Sequence, residues 1–316
     1  MAVTLAQAKL DVQDDLEVGV IDEFAKSNFL FNNLTFDDCV SPTGGATLTY
    51  GYTRLITQPT AAFRAVNSEY APQEVTKQRY TADLKIFGGS FQIDRVLSNM
   101  GGIVSETTLQ MQQKIKAASA LFNDTVINGD SAVDDNAFDG LEKAVTGSST
   151  ELIPDAAIDL STSALVDTNY KEFLDILDEF LMGLDGTPSF IGGNTKLIAK
   201  IRACARRAGM YQVTKDNFGK QIETYGAVPL VDFGAKPGTN NPVVATNASG
   251  ETSLFAARLG LDGFHAASIA GVSPIRSWLP DFKTSGAVKT GEVEMVAAVI
   301  LKATKAAGIL RKIKVQ

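Results

Sequence analysis

The chain has 316 residues, 45% hydrophobic and 21% charged, with a net charge of −7. That length suits one large domain or two ordinary ones, and no apolar run reaches the ~20 residues that span a bilayer. The acidic balance argues against duplex DNA as a direct ligand, since such binding rests on clustered Lys and Arg. It leaves room for a protein that merely encloses nucleic acid.

The first forty residues carry eight carboxylates against Lys9 and Lys26. Val18, Ile21, Phe24 and Ala25 fit one short helical stripe there, so the segment reads as a solvated helix or as an arm lying on a neighbour. The N-terminus has no basic region followed by a sustained apolar core, so it does not read as a secretory signal. Cys39 and Cys204 are too far apart for CxxC chemistry or a disulfide framework. A reducing cytoplasm is expected.

Residues 46–55 and 81–87 alternate with period two and are rich in Thr, Tyr, Leu and Ile, as strands are. Between them runs a polar stretch with Pro59 and Pro72. The whole predicts a long hairpin arm, which cannot bury itself and needs a partner surface. That surface is expected on another copy of the chain.

A long helix follows, with Ser105 as a plausible N-cap and Met111, Ile115, Ala118, Phe122 and Val126 on one stripe. Asn128-Gly129 is expected to give it a left-handed exit. An Asp/Gly-rich loop comes next. Leu174, Leu177, Phe180, Leu181 and Leu184 predict a second helix, with Asn169 and Glu172 placed like a capping box and Asp185-Gly186 ending it. Ser189-Phe-Ile reads as a buried strand. Asn194 caps a third helix through Ala208, closed by Gly209, with Lys196, Lys200, Arg202, Arg206 and Arg207 on its polar side. Strand-like pieces recur at 228–231, 243–246, 253–256 and 292–301. Strands and helices mix without regular βαβ alternation, so the class is α+β.

Tests for chemistry are negative. His265, the only histidine, sits in an apolar setting and reads as structural. One histidine builds no His-rich zinc site, and no Gly-x-Ser-x-Gly elbow accompanies it. Phosphate-cradling glycine loops are absent. A calcium loop begun at Asp135 would put Ala137 and Thr146 where oxygen-rich ligands belong, so this segment reads as a solvated turn. Asp175 and Glu179 read as a solvated helix face, and the basic third helix is a weak signal for phosphate or an acidic neighbour. No catalytic residue, cofactor or metal site is expected.

The order of parts resembles the major capsid protein of tailed bacteriophages, the Hong Kong phage-type fold shared with encapsulins. Ala62-Phe-Arg-Ala-Val-Asn-Ser-Glu-Tyr-Ala-Pro looks like that family's extended-loop tip. Ser90-Phe-Gln-Ile-Asp-Arg-Val-Leu looks like the strand entering the spine helix. Asn128-Gly-Asp and Phe138-Asp-Gly-Leu are similar to its glycine-rich loop, and residues 190–202 to its strand-then-helix element. Gly209-Met-Tyr and residues 225–231 match its Gly-x-Tyr turn and following strand. The resemblance implies an N-terminal arm over 1–44, an extended β-hairpin loop over 45–92, and a peripheral domain with the spine helix over 93–165. It further implies an axial domain over 166–269, then a return to the peripheral domain and a C-terminal strand over 270–316.

The implied function is geometric: pentamers and hexamers close into an icosahedral shell around double-stranded DNA, assembled in a bacterial host cytoplasm. Some members begin with a long cleaved segment; about forty residues precede the arm here, which suggests a separate scaffolding protein. A portal is a further expected partner, and a decoration protein an optional one. Arg54, Arg64, Glu69, Lys77 and Arg79 are the candidates for inter-subunit pairs. Covalent crosslinking is not expected. An encapsulin-type shell around an enzyme cargo, and a soluble α+β enzyme, are the alternatives.

Overall fold

The computed structural model describes residues 29–41, 48–99, 106–210, 212–215 and 221–316. In chain order come α1 (Phe29–Asn33), β1 (Phe36–Val40), β2 (Thr49–Leu55), β3 (Lys77–Asp83), β4 (Lys85–Asp94), α2 (Arg95–Asn99) and α3 (Glu106–Asn128). Then follow α4 (Leu141–Val145), β5 (Glu151–Leu152), β6 (Ile158–Asp159), α5 (Ser163–Met182), β7 (Phe190–Gly193) and α6 (Thr195–Arg207). The rest are β8 (Gln212–Lys215), β9 (Gln221–Tyr225), β10 (Val228–Asp232), β11 (Glu251–Ala257), β12 (Phe264–Ile269), β13 (Ile275–Trp278), β14 (Val288–Leu301) and β15 (Ala307–Lys314). The stripe expected at Val18–Ala25 and the cap expected at Ser105 lie outside the described residues.

Three sheets organise these elements. A five-stranded sheet runs β1-β12-β14-β13, with β4 on the other edge of β14. An eight-stranded sheet runs β5-β15-β11-β7-β10-β9-β8, with β6 also on β15. The two-stranded sheet is the arm, β2 with β3. Strand β15 and the short strands at 151–152 and 158–159 therefore join the sheet built from residues 190–257, and β14 alone of the last two strands joins the five-stranded one.

Helix α3 forms where the sequence predicts it. Met111, Ala118, Phe122 and Val126 are buried and Ile115 half-buried, so one stripe faces β4 and β14. Phe122 is the hub: its ring meets Phe31 and Phe36 at 5.8 Å, Phe138 at 5.9 Å and Phe87 at 6.2 Å. One ring thus joins the segment before the arm, the strand after it, the helix and the loop beyond. Aromatic pairs at such separations contribute about 0.5–1.5 kcal/mol each beyond area burial.

The exit from α3 differs from the expectation. Gly129 has no positive φ; it is required by close approach instead. A Cβ there would stand 2.3 Å from the Phe138 carbonyl oxygen and 2.5 Å from that of Thr125. The loop then closes on Lys143, whose ammonium meets Asp130 at 2.6 Å, Asp139 at 2.8 Å and the Ser131 hydroxyl at 3.1 Å.

Helix α5 starts six residues before the expected capping box. Thr162 is the cap, its hydroxyl accepting from the Leu165 N–H at 3.3 Å, because buried Val166 extends the apolar stripe backwards. Asn169 sits inside the helix and donates 2.9 Å to the Asp159 carbonyl. Helix α6 matches its expected bounds: Asn194 accepts from the Leu197 N–H at 2.8 Å, and Gly209 follows at φ 71°. Residues 243–246 form no strand. The Val243 and Val244 carbonyls accept instead from the side-chain amides of Asn128 and Asn194, at 2.8 and 3.2 Å, which satisfies them without a ladder.

Candidate assembly interface

The arm is a ladder in strict register from Thr49↔Asp83 to Leu55↔Lys77. Its return strand starts at Lys77, four residues before the alternating run at Thr81 suggested. At the root, Tyr52 and Tyr80 lie opposite each other and stack at 5.7 Å with 21° between planes. Arg54 caps that pair, its guanidinium carbon 4.6 Å from the Tyr80 centroid. Its Nε donates 2.7 Å to the Lys302 carbonyl, a second nitrogen donates to that of Leu301, and Tyr52 Oη donates 3.2 Å to the same Leu301 oxygen. Burial pushes the Tyr52 hydroxyl above its ordinary pKa, and the neighbouring guanidinium only partly offsets this. The arm is therefore pinned at its base to the end of β14.

Beyond Leu55 one further backbone bond, from the Ile56 N–H to the Thr76 carbonyl at 2.9 Å, is followed by side-chain ties. Thr57 and Thr76 hydroxyls meet at 2.8 Å, and the Thr60 N–H donates 2.6 Å to Gln73 Oε1. Asn67 turns the tip with φ 68°, as an Asn tolerates. Every residue from 55 to 79 is exposed, including Leu55, Ile56, Phe63, Val66, Tyr70 and Val75. Apolar side chains repeated along an arm with no surface beneath them make this segment a candidate contact site.

The five candidate residues spread along this arm. Arg54 sits at the root and is engaged within its own chain. Arg64, at the tip, donates 3.2 Å to the Ser68 carbonyl and stands 5.4 Å over the Tyr70 ring. Glu69 is exposed beside it, and Lys77 is exposed where the ladder ends. Arg79 lies across Gly51 of the facing strand. Sequence reasoning missed the Tyr52–Tyr80 pair at the root and the exposed apolar side chains of the tip; the signal for the latter was Phe63 and Val66 in a stretch with no amphipathic period.

A cleft of about 450 Å³ separates the arm root from the loop after α3, lined among others by Tyr52, Arg54, Tyr80, Lys85, Asp139 and Lys143. The basic face of α6 is largely spoken for: Lys200 donates 2.7 Å to the Ser161 carbonyl, Arg202 meets Glu223 at 2.5 Å, and Arg207 pairs with Asp167. Burial pushes the Cys204 thiol up to about 11. Among the described residues no cluster of three His, Cys, Asp or Glu side chains could hold a metal, and no helix is long and apolar enough to cross a membrane.

No protein-family model and no curated protein matches the sequence. Solved structures do match in fold. The SrpI encapsulin of Synechococcus elongatus superposes with a TM-score of 0.68 at 16% identity, covering 100% of this chain and 98% of that one. The capsid of a native GTA particle gives 0.63 at 12% identity, covering 98% and 97%. The capsid of Myoviridae phage XM1 gives 0.60 at 11%, covering 98% and 99%. With its pinned hairpin arm, long central helix and two sheets, the chain has the α+β Hong Kong phage-type capsid fold shared by phage capsids and encapsulins.

Proposed function

We propose that this chain is the major capsid protein of a tailed phage. Copies of it close as pentamers and hexamers into an icosahedral shell around double-stranded DNA. One observation carries the reading: residues 55–79 are exposed throughout, on an arm whose root alone is fixed to the body. A neighbouring copy supplies the missing surface. Burying a Phe or Val side chain there contributes about 1.5–3 kcal/mol each, and closed symmetry repeats the gain at every contact while leaving no free edge for growth. The net charge of −7 fits a wall that holds DNA without gripping it. A scaffolding protein and a portal belong to this reading, and no catalytic role does.

The encapsulin-type shell is the second reading, favoured by the end-to-end superposition on the SrpI encapsulin.

The test is electron microscopy and size-exclusion chromatography of the recombinant chain, alone and co-expressed with a scaffold. Closed shells, or rings of five and six, are expected. The double variant F63D/V66D should remain a folded monomer. Strict monomers under every condition, or shells from the double variant, would overturn the proposal. Nuclease-protected double-stranded DNA in shells isolated from the native source, as against an enclosed protein, separates the capsid reading from a cargo of enzyme.

A further inference from the structure

The chain's only histidine lies beneath the root of the arm. His265, on β12, pairs with Ile300 of β14 and is fully buried. Neither ring nitrogen makes a hydrogen bond of good geometry among the described residues, and the Gly263 backbone is a weak partner beside the imidazole. Its ring meets the edge of Tyr50 at 5.8 Å and 67°. Tyr50 is the buried residue of β2, and its hydroxyl donates 2.8 Å to Asp37 Oδ2 on β1. The Lys302 ammonium stands 5.4 Å over the same tyrosine ring. From the turn before β12, the Gly263 backbone lies beside the imidazole, while Asp262 acts on it only through its charge, its carboxylate being paired with Arg258.

We propose that His265 is a proton-operated catch: on taking up a proton it releases the root of the arm from the body. An imidazolium at this position has two N–H donors, and the Gly263 backbone serves at most one, so it needs a second acceptor or water. The Asp37 carboxylate, on the adjoining strand, already holds the Tyr50 hydroxyl. Either Asp37 turns from Tyr50 to the imidazolium, or water enters beside Tyr50; both loosen the arm at its first buried residue. The other exit, through β12, breaks a strand paired on both sides within the five-stranded sheet. The arm is the weaker wall, since the lowest-stability element opens first.

The direction with pH follows. Burial, and then Lys302, hold the imidazole below its ordinary pKa, with Asp37 and Asp262 opposing. The released state has a solvated imidazole titrating near ~6.5. Release therefore stays at its baseline above that pH and grows as pH falls below it.

The test is hydrogen exchange of the full chain from pH 7.5 to 5, corrected for intrinsic rates, read at residues 49–55 and 77–83. In the native protein, opening there should rise below about pH 6.5 and approach tenfold per unit, the limit for one proton. H265Q and H265F, which cannot charge, should hold the same segments flat, and D37N should loosen them at every pH. A flat native profile, or an unchanged profile in either folded variant, overturns the proposal. The single ¹³C-labelled histidine signal gives a check independent of any variant. It should titrate in step with arm opening; titration without opening also overturns it.

Discussion

The side-chain amide of Asn123, buried on α3, donates 2.7 Å to the backbone carbonyl of Phe233 at the end of β10. This single bond ties the long helix to the eight-stranded sheet, 110 residues away in sequence. Replacing Asn123 with Leu leaves the Phe233 carbonyl unpaired in the core. The expected loss is about 1–3 kcal/mol, measured as a lower urea midpoint at unchanged slope.

Gly129→Ala puts a methyl group against two backbone oxygens that cannot move aside independently. Overpacking of this kind costs about 1–3 kcal/mol, and backbone neighbours put it at the upper end. Thermal unfolding of the variant should fall by several degrees with the far-ultraviolet spectrum intact.

Arg54 and Glu69 should separate cleanly. Arg54→Ala uncovers the Leu301 and Lys302 carbonyls and the Tyr80 face, each worth about 0.5–3 kcal/mol to a charged donor. Amide exchange at the arm root should rise, and Lys should not restore it, because the planar fork matters. Glu69, which Glu69→Lys replaces, is exposed and makes no hydrogen bond or ion pair among the described residues. The variant's unfolding midpoint should stay within about 0.5 kcal/mol of the native chain, while shell yield falls if Glu69 pairs across copies. Normal yield would remove it from the candidate interface.

Acid should weaken the joint between α4, β5, β6 and β15. Arg311 binds Glu142 at 2.9 Å and Glu151 at 2.5 Å. Burial alone would raise the Glu151 carboxyl, but the Gly147 N–H and the Arg311 guanidinium outweigh it and hold it low. Asp159 is lowered to about 2 by the Ser161 hydroxyl and N–H, with Lys314 adding to them. Both groups add stability that is complete above their unfolded values of about 4 and lost as pH falls below them. The thermal midpoint should drop between pH 4 and 2, and Asp159→Asn should flatten the lower part of that limb.

Much of this was legible in the sequence where a periodic pattern met a strong boundary residue. The α3 stripe and the Asn194 cap are examples, since both signals act over one or two turns. The arm was legible as two alternating runs, but its true return at Lys77 was not, because exposed positions carry no hydrophobic alternation. The Thr162 start of α5 was hidden by Asn169, whose amide serves a distant carbonyl instead of a cap. Val243 and Val244 look like a strand because they are buried, yet side-chain amides take their carbonyls. The Tyr52–Arg54–Tyr80 group was invisible, since its register depends on where the ladder begins.

Strand β4 continues from the arm after Leu84 alone and pairs with β14 at ten successive positions, Lys85↔Ala297 to Asp94↔Val288. A pull on the tip therefore enters β4 along its own length, and those pairs share the load in shear instead of parting one by one. The arm is thereby a tether whose load passes into a long ladder, and not into one or two bonds at its root.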